Sequence, residues 1–283
     1  MKTLKTIRKR WRRLLSEGGF FVGGAILAVV LVVPVLYTIV SSLKSAGEIF
    51  VVPMRWVPRT VHLDNFSIPL IRQSFWIYFL NSIVVAAAVT ASALFFCSLA
   101  GYSLAKFQYF GRKFFFLLVL VTIMVPIEVI LVPLAIIVKV LGLTDSYAGL
   151  IIPVALTPFG IFWMRQFIVT LPGDYIDSGR VDGLNELQIF WHLILRLSTP
   201  AVAALGIFTF MGNWNSLMWP LIVISRNGLR TVPVGLLAFQ GEFYTPYNQL
   251  FAMSVLAVVP TGLFFVALRE RLIQGMAMVG IKG

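Results

Sequence analysis

Charge is scarce in this sequence. Only 12% of its 283 residues are Asp, Glu, Lys or Arg, against 59% hydrophobic, about half the charge of an ordinary soluble domain. A water-soluble core does not need such a composition. Cysteine is nearly absent: Cys97 stands alone, which excludes an intrachain disulfide, and inside an apolar run it reads as a small buried residue. The two histidines, His62 and His192, lie far apart and have neither a Cys-x-x-Cys nor a His-x-x-x-His partner, so nothing in the sequence supports metal binding. Nowhere does a glycine-rich loop end in Gly-Lys-Ser or Gly-Lys-Thr, so the common phosphate-cradling ATP site is missing as well.

What the sequence has instead is long apolar runs. Phe20 to Val40, Phe75 to Ala105, Phe114 to Val138, Ser146 to Met164, Leu197 to Ser225 and Phe243 to Leu268 are each close to, or beyond, the length that crosses a bilayer, about 20 residues for a helix. Only the third contains an ionisable residue, Glu128. Barrel strands would be about ten residues long and alternate polar with apolar, whereas these runs are continuously apolar. The expected fold class is therefore all-α, a polytopic membrane protein with six transmembrane helices.

The net charge of +12 is first a statement about orientation, not about nucleic acid. Seven basic residues crowd the N-terminus from Lys2 to Arg13. With that end cytoplasmic, Lys106, Arg112 and Lys113, then Arg165, Arg180 and Arg196, then Arg269, Arg271 and Lys282 also fall inside, so that 16 of the 23 basic residues do. Both termini are then cytoplasmic. The first run lacks an Ala-x-Ala cleavage pattern and is too long for a signal peptide core, so it is expected to be retained. The expected organisation is a basic arm at 1–19 lying near anionic headgroups, a six-helix domain at 20–270, and a cytoplasmic tail at 271–283.

Prolines punctuate this plan. Pro53, Pro58 and Pro69 rule out a long helix in the external segment Ser42 to Ser74. Pro126 and Pro133 break the third run, Pro153 and Pro158 the fourth, and Gly212 and Pro220 the fifth. Broken spans belong where backbone faces protein or a cavity rather than lipid. Asn65-Phe66-Ser67 matches a glycosylation triplet, a pattern too common to carry weight by itself.

The segment 171–188 between the fourth and fifth runs is the most informative. Pro172 ends what precedes it, and Asp174 with Asp177 puts carboxylates in the first turn of a new helix, where the dipole favours them. Gly183 is placed to stop that helix in the left-handed conformation, and Asn185 with Gln188 forms a capping-box pattern for a second helix. A helix, a tight turn and a helix entering the membrane follow.

This segment resembles the cytoplasmic coupling loop of binding-protein-dependent ABC permeases, with Asp177-Ser178-Gly179 at the position of a Glu-Ala-Ala triplet, Asp182-Gly183 at an Asp-Gly pair and Leu197-Ser198-Thr199-Pro200 at the close. The triplet departs from the pattern at all three positions, and Gly179 in place of Ala should weaken the helix by up to about 1 kcal/mol. Leu171-Pro172, Ile189-Phe190-Trp191, Ile207 to Phe210, Gly212 with Trp214 and Asn215, Trp219 to Ile222, Val232 to Gly235 and Gly280 to Gly283 extend the resemblance along the chain, towards the carbohydrate branch of the family. The resemblance implies a type I importer core, a second permease subunit making a heterodimer, a dimer of ATPase subunits and an extracytoplasmic substrate-binding protein. It implies that ATP and Mg are held by the ATPase subunits, with no cofactor on this chain. The residues it assigns to ATPase coupling are Tyr175, Ile176, Asp177, Ser178, Gly179, Val181, Asp182, Gly183 and Leu184.

Two further groups are candidates for a substrate path. Glu128 lies deep in a span, where an unpaired charge is costly; pathway contact, a structural hydrogen bond and a partner-subunit contact all remain open for it. Asn213, Trp214, Asn215 and Trp219 offer the planar polar and aromatic surfaces that bind sugars, and helix packing or interfacial anchoring accounts for them equally well. A secondary transporter would show an internal repeat and several intramembrane ionisable groups; neither is present. A permease for amino acids or another solute is the remaining alternative.

Overall fold

A computed structural model of the chain describes the backbone of residues 2–241 and 244–279, and side chains at 21–241 and 244–267. Side chains of the basic arm, Phe243 at the head of the sixth run, and Gly280 to Gly283 lie outside these ranges. The described backbone is helical or irregular, without strands. Three long helices could each cross a bilayer: α1 (Lys2–Ser41) through its Phe21–Ser41 part, α2 (Phe75–Lys106), and α12 (Tyr247–Val279) through its Tyr247–Ala267 part. Three further spans are bent pairs: α3 (Arg112–Ile123) with α4 (Ile127–Val140) at 104°, α5 (Tyr147–Val154) with α6 (Pro158–Thr170) at 43°, and α8 (Glu186–Leu197) with α9 (Thr199–Trp214) at 82°. Between the second and third pairs lies α7 (Asp174–Val181), and between the third pair and α12 lie α10 (Met218–Val223) and α11 (Val232–Leu237).

Six spans are thus accounted for, with corrections to their course. The third run is not one rod: Pro126 has no N–H to carry the ladder on and sits extended as the N-cap of α4, so α3 ends at Ile123 and the chain turns sharply. The fifth run begins as α9 after a bend at Ser198 and gives way at Asn215 to the separate short α10. The fourth extends beyond Met164 to Thr170, ending where Leu171 precedes Pro172; its second half opens as α6 with Thr157 accepting from the Gly160 N–H and Pro158 in the first turn. Pro133 and Gly212, expected to break the third and fifth runs, are instead carried inside α4 and α9, as Pro34 and Pro260 are inside α1 and α12.

The chain forms two compact units. In the smaller, of residues 1–72 and 241–256, the external segment is tied down by buried polar groups. Asn65 donates to the carbonyls of Ser42 and Lys44 at 2.9 and 2.8 Å and accepts from Asn248 at 2.6 Å, so the glycosylation-like triplet opens on a buried side chain. Lys44 is wholly buried; its ammonium donates to the Arg55 carbonyl and lies 5.1 Å from the centre of the Tyr37 ring, which replaces part of its hydration.

In the larger unit α2 packs against both α6 and α9. A Cβ on Gly101 would lie 2.8 Å from the backbone nitrogen of Arg165, and one on Gly160 would lie 2.8 Å from the Cys97 sulfur. Small residues therefore set how closely α2 and α6 approach, the usual device for helix association in lipid. One apolar core at this crossing includes Cys97, Tyr102, Met164, Ile168 and Phe190; a second gathers Val85, Val89, Leu131, Val138, Leu150, Trp219 and Val223. Beside the second, the Asp145 carboxylate accepts from the Ser225 and Arg226 backbone N–H groups at 2.7 and 2.9 Å, which holds its pKa below the usual carboxylate range.

The close crossing makes a prediction. Gly101→Val, whose side chain meets backbone, should destabilise the chain by about 1–3 kcal/mol. Gly206→Ala meets nothing nearer than 3.6 Å and should be neutral or slightly stabilising. Thermal unfolding in detergent checks both; an unchanged midpoint for Gly101→Val would show that the helices cross more loosely than described.

Candidate functional site

The segment after α6 is built as its residue pattern requires. Leu171, preceding Pro172, is forced out of the helical region to φ −71°, ψ 134°, and α6 ends there. The Lys106 ammonium, from the end of α2, donates to the Leu171 carbonyl and fixes the exit. After Gly173, α7 runs for eight residues with Asp174 and Asp177 in its first turn and Arg180 in its last, matching the helix dipole at both ends.

Gly183 closes α7 at φ +80°. The Leu184 N–H reaches back to the Gly179 carbonyl at 3.0 Å and the Gly183 N–H to the Arg180 carbonyl at 3.1 Å, the paired bonds of a Schellman cap. No atom lies within 4 Å of a Cβ added at Gly183, so glycine is demanded by the backbone alone. Two residues later Asn185 accepts from the Gln188 N–H at 2.9 Å, and the Gln188 side chain accepts from the Asn185 N–H at 2.8 Å. This capping box opens α8, which contains a wide π turn at Phe190–Ile194 before it reaches Ser198.

The corner is fastened to the membrane helices from within. Ile176 is buried in the core around Tyr102, Ile189 and Phe190. Gly179 is buried too, and a Cβ there would come within 2.9 Å of Leu193 and 3.2 Å of Ile189. Its glycine brings α7 down onto α8, which gives a packing reason for the departure from Ala at this position. Arg180 links Asp177 at 3.1 Å to Glu186 at 2.9 Å, and Glu186 accepts from the Tyr102 hydroxyl of α2 at 2.9 Å. The hydrogen bond and charge of Glu186 raise the Arg180 pKa above its ordinary value, so the guanidinium stays charged.

The predicted coupling residues accordingly divide in two. Ile176 and Gly179 face inward, with Leu184 half-buried beside them, while Tyr175, Asp177, Ser178, Val181 and Asp182 face outward and Gly183 forms the turn. Val181 is 87% exposed and Leu187 68%, an apolar surface on a polar corner. Leu187, Glu186, Arg180 and Tyr102 escaped the sequence reading as site residues. Arg180 three residues after Asp177 was a usable signal; Tyr102, 84 positions from Glu186, gave none.

The substrate-path candidates are placed differently from one another. Asn213 and Asn215 donate back to the carbonyls of Thr209 and Met211 at 2.8 Å each, and the buried Trp214 donates to the Ala257 carbonyl at 3.1 Å, so these three cluster at the end of α9. Trp219 is buried in the second core on α10, its indole N–H without a hydrogen-bond partner among the described residues. Glu128 sits exposed in the first turn of α4. Among the described residues no hydrogen bond or ion pair joins Glu128 to the other four. No group of three or more metal-ligating side chains occurs among the described residues.

Residues 97–278 match the family described as the binding-protein-dependent transport system inner membrane component. The chain is 33% identical over 265 residues to the arabinooligosaccharides transport system permease protein AraQ of Halalkalibacterium halodurans, covering 93% of this chain and 95% of that protein. It is 29% identical over 255 residues to the sn-glycerol-3-phosphate transport system permease protein UgpE of Salmonella typhimurium, covering 87% and 91%. A chain in the crystal structure of a bacterial ABC transporter involved in the import of the acidic polysaccharide alginate superposes with a TM-score of 0.79 at 21% identity, over 90% of this chain and 97% of that one; at that identity the likeness concerns the fold. By the family match and the AraQ relative, this chain belongs to the binding-protein-dependent transport system inner membrane component family.

Proposed function

We propose that this chain is one of two permease subunits, the other being a different chain, of an ATP-driven importer for an oligosaccharide or related polyol, and that the α7–α8 corner couples it to a dimer of ATPase subunits. A binding protein outside the membrane delivers the substrate, and ATP and Mg reside in the ATPase subunits. The arabinooligosaccharide and glycerol phosphate relatives support the solute class. The observation that carries the coupling role is a stiff corner with an outward apolar face: Tyr175, Val181 and Leu187 project from helices fixed inward by Ile176, Gly179 and the Tyr102–Glu186–Arg180 chain.

A displacement can be passed on only by a body that does not yield. When nucleotide closes the ATPase pair, a corner seated on it through its outward face moves as a unit. The capped α7 cannot unwind cheaply, and the capping box makes α8 continue the motion into the bend at Ser198. Alternation between inward-open and outward-open arrangements of two permease halves follows from such a lever. On this reading both termini and the corner are cytoplasmic.

Gly183→Val should spare membrane insertion, which depends on the apolar spans, yet strain the turn by roughly 1 kcal/mol or more because its φ is positive. Gly183→Asn, which tolerates that conformation, should be milder. In the reconstituted complex Gly183→Val and Val181→Asp should lower substrate-stimulated ATP hydrolysis and sugar uptake together, with ATPase recovery on pull-down as the assembly control. Normal assembly and transport by both variants would reduce the corner to a solvated turn.

Reporter fusions at each end test the topology, and an external C-terminus would mean that one span is misassigned. Glu128→Gln keeps the shape of the side chain and removes its charge. If Glu128 serves the substrate path, uptake should fall while assembly holds, and unchanged uptake would leave it a structural role.

A further inference from the structure

One feature of the larger unit plays no part in the coupling corner. Between α2, α3 and α6 lies an open pocket of about 350 Å³ lined by Ser103, Leu104, Phe115, Leu118, Pro158 and Ile161 among others. Its walls are mostly apolar, and α3 beside it exposes Phe114, Leu117 and Val121, side chains suited to hydrocarbon rather than water.

Cations that no ion pair among the described residues engages gather near its rim. Arg112, at the start of α3, donates to the Phe107 carbonyl at 2.9 Å. On α6, the Arg165 guanidinium lies 3.7 Å from the centre of the Phe116 ring, and its Nε reaches the carbonyl of pocket-lining Leu104 at 3.4 Å. Phe116 stands one helical turn after Arg112 on α3, so the ring under Arg165 and the Arg112 side chain share the α3 face turned to α6. Lys113 follows Arg112 in sequence. No Asp or Glu occurs between Asp64 and Glu128, and the ion pairs among the described residues involve neither arginine.

We infer that this pocket and its rim bind an anionic phospholipid, one acyl chain lying in the pocket and the phosphate shared by Arg112 and Arg165. A tail leaving bulk lipid for the pocket gains only packing, so the pocket alone would not select a lipid. Selection comes from the arginines, whose planar forks match a phosphate and whose mutual repulsion a shared anion relieves. A soluble anion would leave the apolar walls unfilled. The inference rests on the proposed topology in one respect: the arginines must face the anionic cytoplasmic leaflet.

The test uses the assembled importer, purified in detergent and offered phosphatidylglycerol or phosphatidylcholine of identical acyl chains, with retained lipid read by native mass spectrometry. The parent should prefer phosphatidylglycerol by about thirtyfold, the increment of two arginines at a membrane surface. Arg112→Gln with Arg165→Gln should bring the preference close to parity. Leu118→Trp, at a partly exposed lining position, should block the pocket and lower phosphatidylglycerol retention with both arginines intact. Parent-like assembly and thermal transitions are required of each variant. Equal retention of the two lipids by the parent, or an unchanged preference in the double arginine variant, overturns the inference. Cross-linking of Leu118→Cys to the second permease, which would put protein in the pocket, overturns it as well. Sugar-stimulated ATP hydrolysis measured on the same samples separates this result from the transport reading: a coupled complex without lipid preference loses only the lipid site.

Discussion

The close crossing of α2 and α6 is the contact on which the rest of the larger unit depends. In lipid no hydrophobic force drives one apolar helix onto another, so association rests on how closely backbones approach. Gly101 and Gly160 remove the side chains that would hold these two apart, and the Cys97 and Met164 side chains fill the seam. The α7–α8 corner inherits its position from that seam. Lys106, at the end of α2, holds the carbonyl from which the chain leaves α6, and Tyr102, one residue after Gly101, receives the corner through Glu186.

That inheritance explains a departure from the expected pattern. A glycine at the end of a short exposed helix costs stability where alanine would not, and by helix propensity alone Gly179 weakens α7. Its environment reverses the emphasis: the position is buried against Ile189 and Leu193 of α8. What α7 gives up in propensity it regains in contact with α8 and in the Schellman cap that the next glycine, Gly183, completes. The two glycines act on different terms, one through space and one through φ.

Much of this was legible in the residues because local rules governed it. The six apolar runs, the carboxylates opening α7, the left-handed stop at Gly183 and the capping box at Asn185 and Gln188 each depend on residues within a turn of one another. The bend at Met124–Pro126 was only half legible: proline marked where the ladder breaks, but the angle of 104° is set by what the two halves pack against, and the 82° bend at Ser198 was not marked, the fifth run being expected to break at Gly212 and Pro220. The inward turn of Ile176 and the Tyr102–Glu186 bond were not legible, since both arise from helices brought together across long stretches of chain. Hydropathy also hides depth. It put Glu128 inside a span, and the break at Pro126 within the bent α3–α4 pair leaves it exposed in the first turn of α4.

The charged chain across the corner has unequal links, and the inequality bears on what the corner can do. Among the described residues the Asp177 side chain pairs with Arg180 alone, three residues along one exposed helix, a pairing that contributes little in water and is screened by salt. Glu186 is held from two sides, by Arg180 and by the hydroxyl of the buried Tyr102, and it also opens α8 where the helix dipole favours an acid. Losing Asp177 from Arg180 costs the fold little because Glu186 still neutralises the guanidinium. The outward link can therefore be exchanged for a cation on another surface while the inward link keeps α7 registered on α2. A docking helix needs this division: a face whose partners are replaceable, on a frame whose partners are not.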